Sequence, residues 1–191
     1  MEKRFVLVLS LFLGCFGGIS LWSQEISNPG LRSIINHYAP RNFASGEVPK
    51  ADLDLIIRAG IRAPSAGNRQ PWHFTVVQNP ALARSVVPGI ENGNVLIVVS
   101  ASGDNRTNTR EILDCALATQ SIYLAAQALG YGSRIYTGPI DALNRSLKGD
   151  LGLPSGYSAV ALVRVGRVQG ALDAVSGASS RASVDSKVNY K

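Results

Sequence analysis

From residue 50 onward the apolar positions fall into segments whose spacing alternates between helical and extended. Leu53, Ile56, Ile57 and Gly60 recur at i, i+3, i+4 and i+7, which predicts a helix over residues 50–62. Pro49 suits its first turn, Asp52 and Asp54 suit the positive end of its dipole, and Pro64 stops it. Residues 73–78 then predict a strand and 80–87 a short helix. The unbroken apolar run within 94–101 predicts a strand covered on both faces.

The longest helix is predicted over 109–129. Leu113, Leu117, Gln120, Leu124 and Ala128 mark one of its faces, and Ile112, Cys115, Thr119, Ile122 and Ala126 mark another. Being apolar or small all round, it is expected to be the central buried helix, ended by Gly130 or Gly132. A brief strand at 133–137, a helix at 140–147 and a β-branched strand at 158–166 follow. Residues 21–36 read as a linker into a short helix, with Asn28-Pro29-Gly30 as the turn, and the Ser/Gly/Ala-rich tail from Gln169 reads as flexible. Strands and helices interleaved around one sheet give an α+β sandwich.

Composition narrows the class further. A chain of 191 residues, 46% apolar and 17% charged, is neither disordered nor a disulfide miniature, and its length suits one domain. The formal net charge of +6 is dispersed along the chain rather than gathered in runs, which favours small anionic ligands over nucleic acid. Residues 1–20 join a short basic start, Lys3-Arg4, to the apolar run 5–13 and then to small residues, the pattern of a secretory signal peptide. Cleavage after Ser20 would leave a soluble exported domain at 21–191, and Phe12-Leu13-Gly14-Cys15 offers a second route in which Cys15 is lipidated and anchors the chain. An unused leader would leave the protein in the cytoplasm.

Several chemistries lack their signatures. There is no Gly-x-Gly-x-x-Gly, no Walker motif and no Gly-x-Ser-x-Gly elbow. Two His and no Cys pair leave no metal-ligand spacing. Cys115 lies mid-helix with nothing cationic close in sequence, as a buried inert thiol would.

The richest segment is Ala63-Pro64-Ser65-Ala66-Gly67-Asn68-Arg69-Gln70-Pro71-Trp72-His73-Phe74, which is a helix stop, a polar turn and a strand entry in succession. Gly67 permits close backbone approach to a ligand, and Ser65, Asn68 and Gln70 offer donors and acceptors that match a heteroaromatic edge. The same residues could instead serve an ordinary loop by bonding their own backbone.

This segment resembles the flavin motif of the nitroreductase family, Ala-Pro-Ser-x-x-Asn-x-Gln-Pro-Trp followed by an aromatic residue. Three further pieces resemble the family in order: His37-Tyr38-Ala39-Pro40-Arg41-Asn42-Phe43, the helix from Asp114 to Gly132, and Leu151–Pro154 with 159–166. The resemblance implies a three-layer sandwich with a central mixed sheet flanked by helices, and a homodimer holding FMN at the subunit interface. Carried over by position, Arg41 and Arg181 face the FMN phosphate, Pro64, Ser65 and Asn68 serve the ring and ribityl chain, and Thr137 and Gly138 lie near its reactive edge. Arginine suits that phosphate because its planar fork makes paired charge-assisted bonds. The family's first phosphate Arg is His37 here, its Ser is Ala39, and a tail position often Lys is Ser179. His37 stays open between a phosphate contact and a surface imidazole.

The implied activity is hydride transfer in two half-reactions, from a donor such as NAD(P)H to nitroaromatic, quinone or similar acceptors, with no catalytic side chain and no metal required. An exported non-catalytic flavin-binding or electron-carrying protein is the alternative, and a dimer that has lost FMN a third. Asp173–Ser180 also resembles the segment of exported proteins that carry FMN covalently, which would make Ser179 the attachment point.

Overall fold

The computed structural model describes residues 27–103, 108–170 and 181–191; residues 1–20 with Cys15, and Ser179, lie outside the described residues. Helix α1 (Pro29–Ile35) opens them, with the Asn28 side chain accepting from the Leu31 amide and Pro29 in the first turn, so the expected Asn-Pro-Gly turn is the helix start itself. The same device begins α3 (Pro80–Val86), where Asn79 accepts from the amides of Ala81 and Leu82. Helices α2 (Lys50–Ile61), α4 (Thr109–Ala128) and α5 (Ile140–Ser146) stand within a residue or two of the periodicity that predicts them.

The strands are β1 (Phe43–Ala44), β2 (Trp72–Val77), β3 (Val95–Ser102), β4 (Gly132–Tyr136) and β5 (Tyr157–Val168). They run β2-β3-β5-β4 across the sheet, and β1 pairs with the last two residues of β5. Where a mixed sheet is expected, every pairing among the described residues is antiparallel. The reason lies in β5. A helical crossover leaves β3 and β4 running the same way, but β5 lies between them, opposite to both, so no two parallel strands are adjacent.

Three layers result. Leu53 and Ile56 of α2 and Cys115, Ile122 and Ala126 of α4 pack on Val95, Ile97, Val99, Val163 and Val165. Across the sheet, Ala83 and Val86 of α3 and Ile140 and Leu143 of α5 pack on Leu96, Val98 and Leu162. In β5 the alternation reverses once. Val99 faces Ala161 but Ser100 faces Ala159, so Val160 is an extra residue that turns the start of the strand over. Val160 accordingly joins the α4 face and Ala159 the α5 face.

Helix α4 departs from its expected full burial. Cys115, Ala118, Ile122 and Ala126 are completely covered, whereas Leu113 is 60% and Leu117 46% exposed. The sheet and α2 can cover only one of its two apolar stripes. Inside that covered stripe, the Cys115 Sγ lies 3.8 Å from the Ser100 carbonyl. Burial, then the nearby charges of Asp114 and Glu111, push its thiol up to about 12.

A buried cation ties β1 and β5 to the loop before β3. Arg164 Nε donates to Asn94 Oδ1 at 2.9 Å, its guanidinium lies over the Phe43 ring at 3.9 Å, and Asn94 Nδ2 donates to the Ala44 carbonyl at 2.9 Å. Gly166 leaves room for this, since a Cβ there would stand 2.3 Å from the Asn94 carboxamide carbon. Arg164 Nη2 already lacks a partner, so the cluster has no donor to lose cheaply.

Asn94→Ala is therefore expected to destabilise the fold by about 3 kcal/mol, because it strands a charged donor and a backbone carbonyl at once; a urea melt measures the loss. Cys115 is expected to stay unmodified by a thiol reagent at pH 8 in the native protein and to react on unfolding, read by peptide mass mapping. Its raised pKa keeps it protonated there and its burial keeps reagent out.

Candidate functional site

Between α2 and β2 the chain makes a polar bend with unusual backbone. Ser65 is extended, residues Ala66–Asn68 form one 3-10 turn, and φ is +62° at Gly67, +53° at Asn68 and +49° at Gln70. Glycine adopts this region freely and Asn tolerates it, but two non-glycine residues there within three positions, Asn68 and Gln70, store local strain. Specific bonds hold the shape. Ser65 Oγ accepts from the Gln70 amide at 3.0 Å, and Asn68 Oδ1 accepts from Gln70 Nε2 at 3.2 Å. Asp114 of α4 accepts from the Ala66 amide at 3.0 Å. Pro64, Gly67, Asn68 and Gln70 remain exposed, with Ser65 half-buried beneath them. Trp72 stacks on Phe74 with ring centroids 6.4 Å apart, closing the strand side of the bend.

A second set of predicted residues gathers at the other end of α4. Gln127 clasps the backbone after α1 from both sides: the Tyr38 amide donates to its Oε1 at 3.2 Å, and its Nε2 donates to the Tyr38 carbonyl at 2.9 Å. Its Nε2 also reaches Ser133 Oγ at 3.0 Å, and Ser133 donates to the Tyr123 carbonyl at 2.7 Å. So held, His37 sets its ring edge-on to Tyr123 at 5.4 Å, with Nδ1 against the Ile34 carbonyl. The charge of Arg181, in the tail, acts on the same Tyr123. Burial raises the Tyr123 pKa, and the Gln127 hydrogen bond and the Arg181 charge oppose that rise. Arg41 is exposed just beyond Pro40, whose carbonyl accepts from Arg134 Nη1 at 3.5 Å.

Thr137 and Gly138 occupy a third place, the exposed turn after β4, where the Thr137 carbonyl caps α5 by accepting from the Ile140 amide at 3.2 Å. Space beside Gly138 is open, with no atom within 4 Å of where a Cβ would stand.

One chain thus joins Pro64, Ser65 and Asn68 in one cluster and His37 and Arg181 in another, but does not bring the two together. At 1.5 Å of rise per residue, Asp114 and Tyr123 are about 14 Å apart along α4, and Asp114 and Gln127 about 20 Å. Exposed Leu113 and Leu117 mark the helix surface at the loop end of that span. Sequence reasoning missed Asp114, Tyr123 and Gln127 as site residues. Neither Asp114 nor Gln127 stands out in the sequence from the other polar residues of α4, among them Glu111, Gln120 and Ser121. Among the described residues no group of three or more His, Cys, Asp or Glu could hold a metal ion, and no helix is long and apolar enough to cross a membrane.

Comparison with known proteins finds relatives along most of the chain. The profile of the nitroreductase family matches residues 34–88 and 84–167. A protein of Archaeoglobus fulgidus, named as a candidate NADH dehydrogenase/NAD(P)H nitroreductase, is 30% identical over 146 residues, 71% of this chain and 83% of its own. The crystal structure of a nitroreductase with bound FMN from Desulfitobacterium hafniense superposes with a TM-score of 0.71 at 25% identity, covering 87% of this chain and 100% of that one. A candidate nitroreductase in complex with FMN from Desulfovibrio desulfuricans gives 0.71 at 26% identity, over 87% of this chain and 98% of that one. With the sandwich, the strained polar bend and the sequence likeness all in agreement, the chain belongs to the nitroreductase family.

Proposed function

We propose that this protein is an FMN-dependent oxidoreductase that takes hydride from a reduced nicotinamide and passes electrons to a nitroaromatic, a quinone or a similar acceptor. The observation that carries this reading is the position of the two polar clusters at opposite ends of α4, with exposed Leu113 and Leu117 at one of them. Two copies packed antiparallel along that stripe would set the bend of one beside the segment of His37 and Gln127 of the other. A homodimer with a shared site therefore accounts for both the exposed leucines and the divided donors. Each cluster alone is only half of a cofactor cradle.

The donor sets fit the cofactor. Arg41 and Arg181 are exposed guanidinium groups suited to a phosphate, each charged hydrogen bond being worth about 1.5–3 kcal/mol. His37, edge-on to Tyr123, has Nδ1 already engaged, which leaves Nε2 for an oxygen. Ser65, Asn68 and Gln70 would meet the polar edge of the ring, and the open backbone at Gly138 leaves space against the sheet edge. When bound, FMN supplies the hydride-accepting centre, while these residues bind it, orient it and limit water. No side chain need act as acid or base, so activity should depend on affinity and orientation more than on any single proton transfer.

A second reading follows from the leader. Its basic start and apolar run would export the chain away from reduced nicotinamides, either as a soluble domain or anchored at Cys15. In that setting the flavin-binding fold would serve as an electron carrier with a different donor. Titration with NADH under anaerobic conditions separates the readings: bleaching of the yellow absorbance supports the enzyme, and a stable yellow protein supports the carrier. A preparation that stays colourless after reconstitution with FMN overturns both.

Arg181→Ala is expected to weaken FMN binding at least about tenfold, equivalent to about 1.4 kcal/mol. Fluorescence titration of the released flavin measures it. Leu117→Asp is expected to convert a dimer into a monomer by sedimentation velocity and to abolish FMN retention in the same sample.

A further inference from the structure

Resting on the reading that the bend at 64–70 holds the cofactor, we infer that Asp114 is the positioning residue of that bend: its buried carboxylate holds the Ala66 amide and so presets the left-handed turn at Gly67 and Asn68.

The argument begins with what fixes the bend. The bonds from Asn68 to Ser65, Arg69 to Ala66, Gln70 to Ser65 and Gln70 to Asn68 all lie within it. Internal bonds of this kind move with the segment and do not fix it to the rest of the fold. Among the described residues, the hydrogen bond that ties residues 65–70 to another element is the one from the Ala66 amide to Asp114 Oδ1 at 3.0 Å. Asp114 itself cannot move far. It is 4% exposed and sits one residue before Cys115, which is completely covered against the sheet.

The carboxylate is also an expensive choice for a merely structural bond. Its Oδ2 is buried with no partner, so the fold carries the desolvation of an oxygen that returns nothing in hydrogen bonding. Local rules are broken in this way where a site must be held in one geometry. Here the geometry held is a strained one, with φ positive at Gly67, Asn68 and Gln70. Without the anchor, the bend would relax into the many backbone states open to a Gly-containing polar loop. Apparent affinity falls by the fraction of chains still in the competent state, so a bend that is correct in a tenth of the molecules binds about tenfold more weakly.

The test compares wild type, Asp114→Ala and Asp114→Asn, the last of which keeps an acceptor for the Ala66 amide and removes the charge. The Kd for FMN is expected to rise about tenfold in Asp114→Ala and to stay within about threefold of wild type in Asp114→Asn. A residue that served stability alone would lower the melting temperature and leave the Kd of the folded protein unchanged. Amide hydrogen exchange on the FMN-free protein gives a second readout: Ala66 is expected to exchange at least about tenfold more slowly than Gly67 in wild type and Asp114→Asn, which decides the matter even if the alanine variant fails to fold. An unprotected Ala66 in wild type, an asparagine variant as weak as the alanine one, or a folded Asp114→Ala that binds FMN as wild type does would each overturn the proposal. A wild-type chain that binds no FMN at all overturns the reading beneath it instead.

Discussion

The seat of α4 on the sheet governs where the two segments with most of the candidate ligand groups stand. Cys115, Ala118, Ile122 and Ala126 lock one stripe of the helix against β3 and β5 with no exposed atom among them. The fit is close enough that α2 crosses at Gly60, where an added Cβ would lie 2.7 Å from Ile122. Because the helix cannot rotate or slide without opening this interface, Asp114 and Gln127 are fixed in space at its two ends. Each then disciplines a segment with little internal regularity, Asp114 the bend after α2 and Gln127 the extended stretch after α1. A rigid element holding two irregular segments is how a sequence of mostly small and aliphatic residues obtains precise polar geometry.

Arginine shows how burial divides one residue type between two tasks. Arg164 is 5% exposed, and its desolvation lowers its pKa. Phe43, Asn94 and the Gly89 carbonyl surround it, so its positive charge is committed to joining β1, the loop before β3 and β5. Arg41 and Arg181 carry the same group on exposed residues, where its charge keeps more of its hydration. The dispersed basic residues of the sequence thus resolve into buried structural groups and exposed ones only once burial is known.

Periodicity marked the long elements well because each buries a stripe wider than a single residue. The helix predicted over 50–62 spans Lys50–Ile61, and the run at 94–101 is β3 displaced by one residue. Features set by a distant partner left no such trace. β1 is two residues long and exists only because Phe43 and Ala44 face Val168 and Arg167. The extra residue Val160 lies in an Ala-Val-Ala stretch where small side chains hide the reversal of faces. The antiparallel neighbours of β5 depend on its insertion between β3 and β4, a matter of topology that no local pattern encodes. For the site, the bend was legible because its residues are contiguous. Asp114 and Gln127 were not, because their targets lie far away in sequence and a polar residue on a helix has many ordinary uses.

Two features of the single chain are each unfavourable on their own, and their coincidence carries meaning. Leu113 and Leu117 leave apolar surface in water at roughly 25 cal/mol per Å², and the bend at 65–70 stores backbone strain. Selection for stability in an isolated chain would remove both, with polar residues on the outer stripe of α4 and a relaxed turn after α2. They meet on one helix: Asp114, which anchors the strained bend, lies next to Leu113 and three residues before Leu117. Covering the leucines with a second copy would therefore bring protein against the bend at the same moment, relieving the exposed surface and confining the strained loop in one event. On the proposed reading, association and construction of the cofactor cradle are then a single thermodynamic step, and the stability of the one should rise and fall with occupancy of the other.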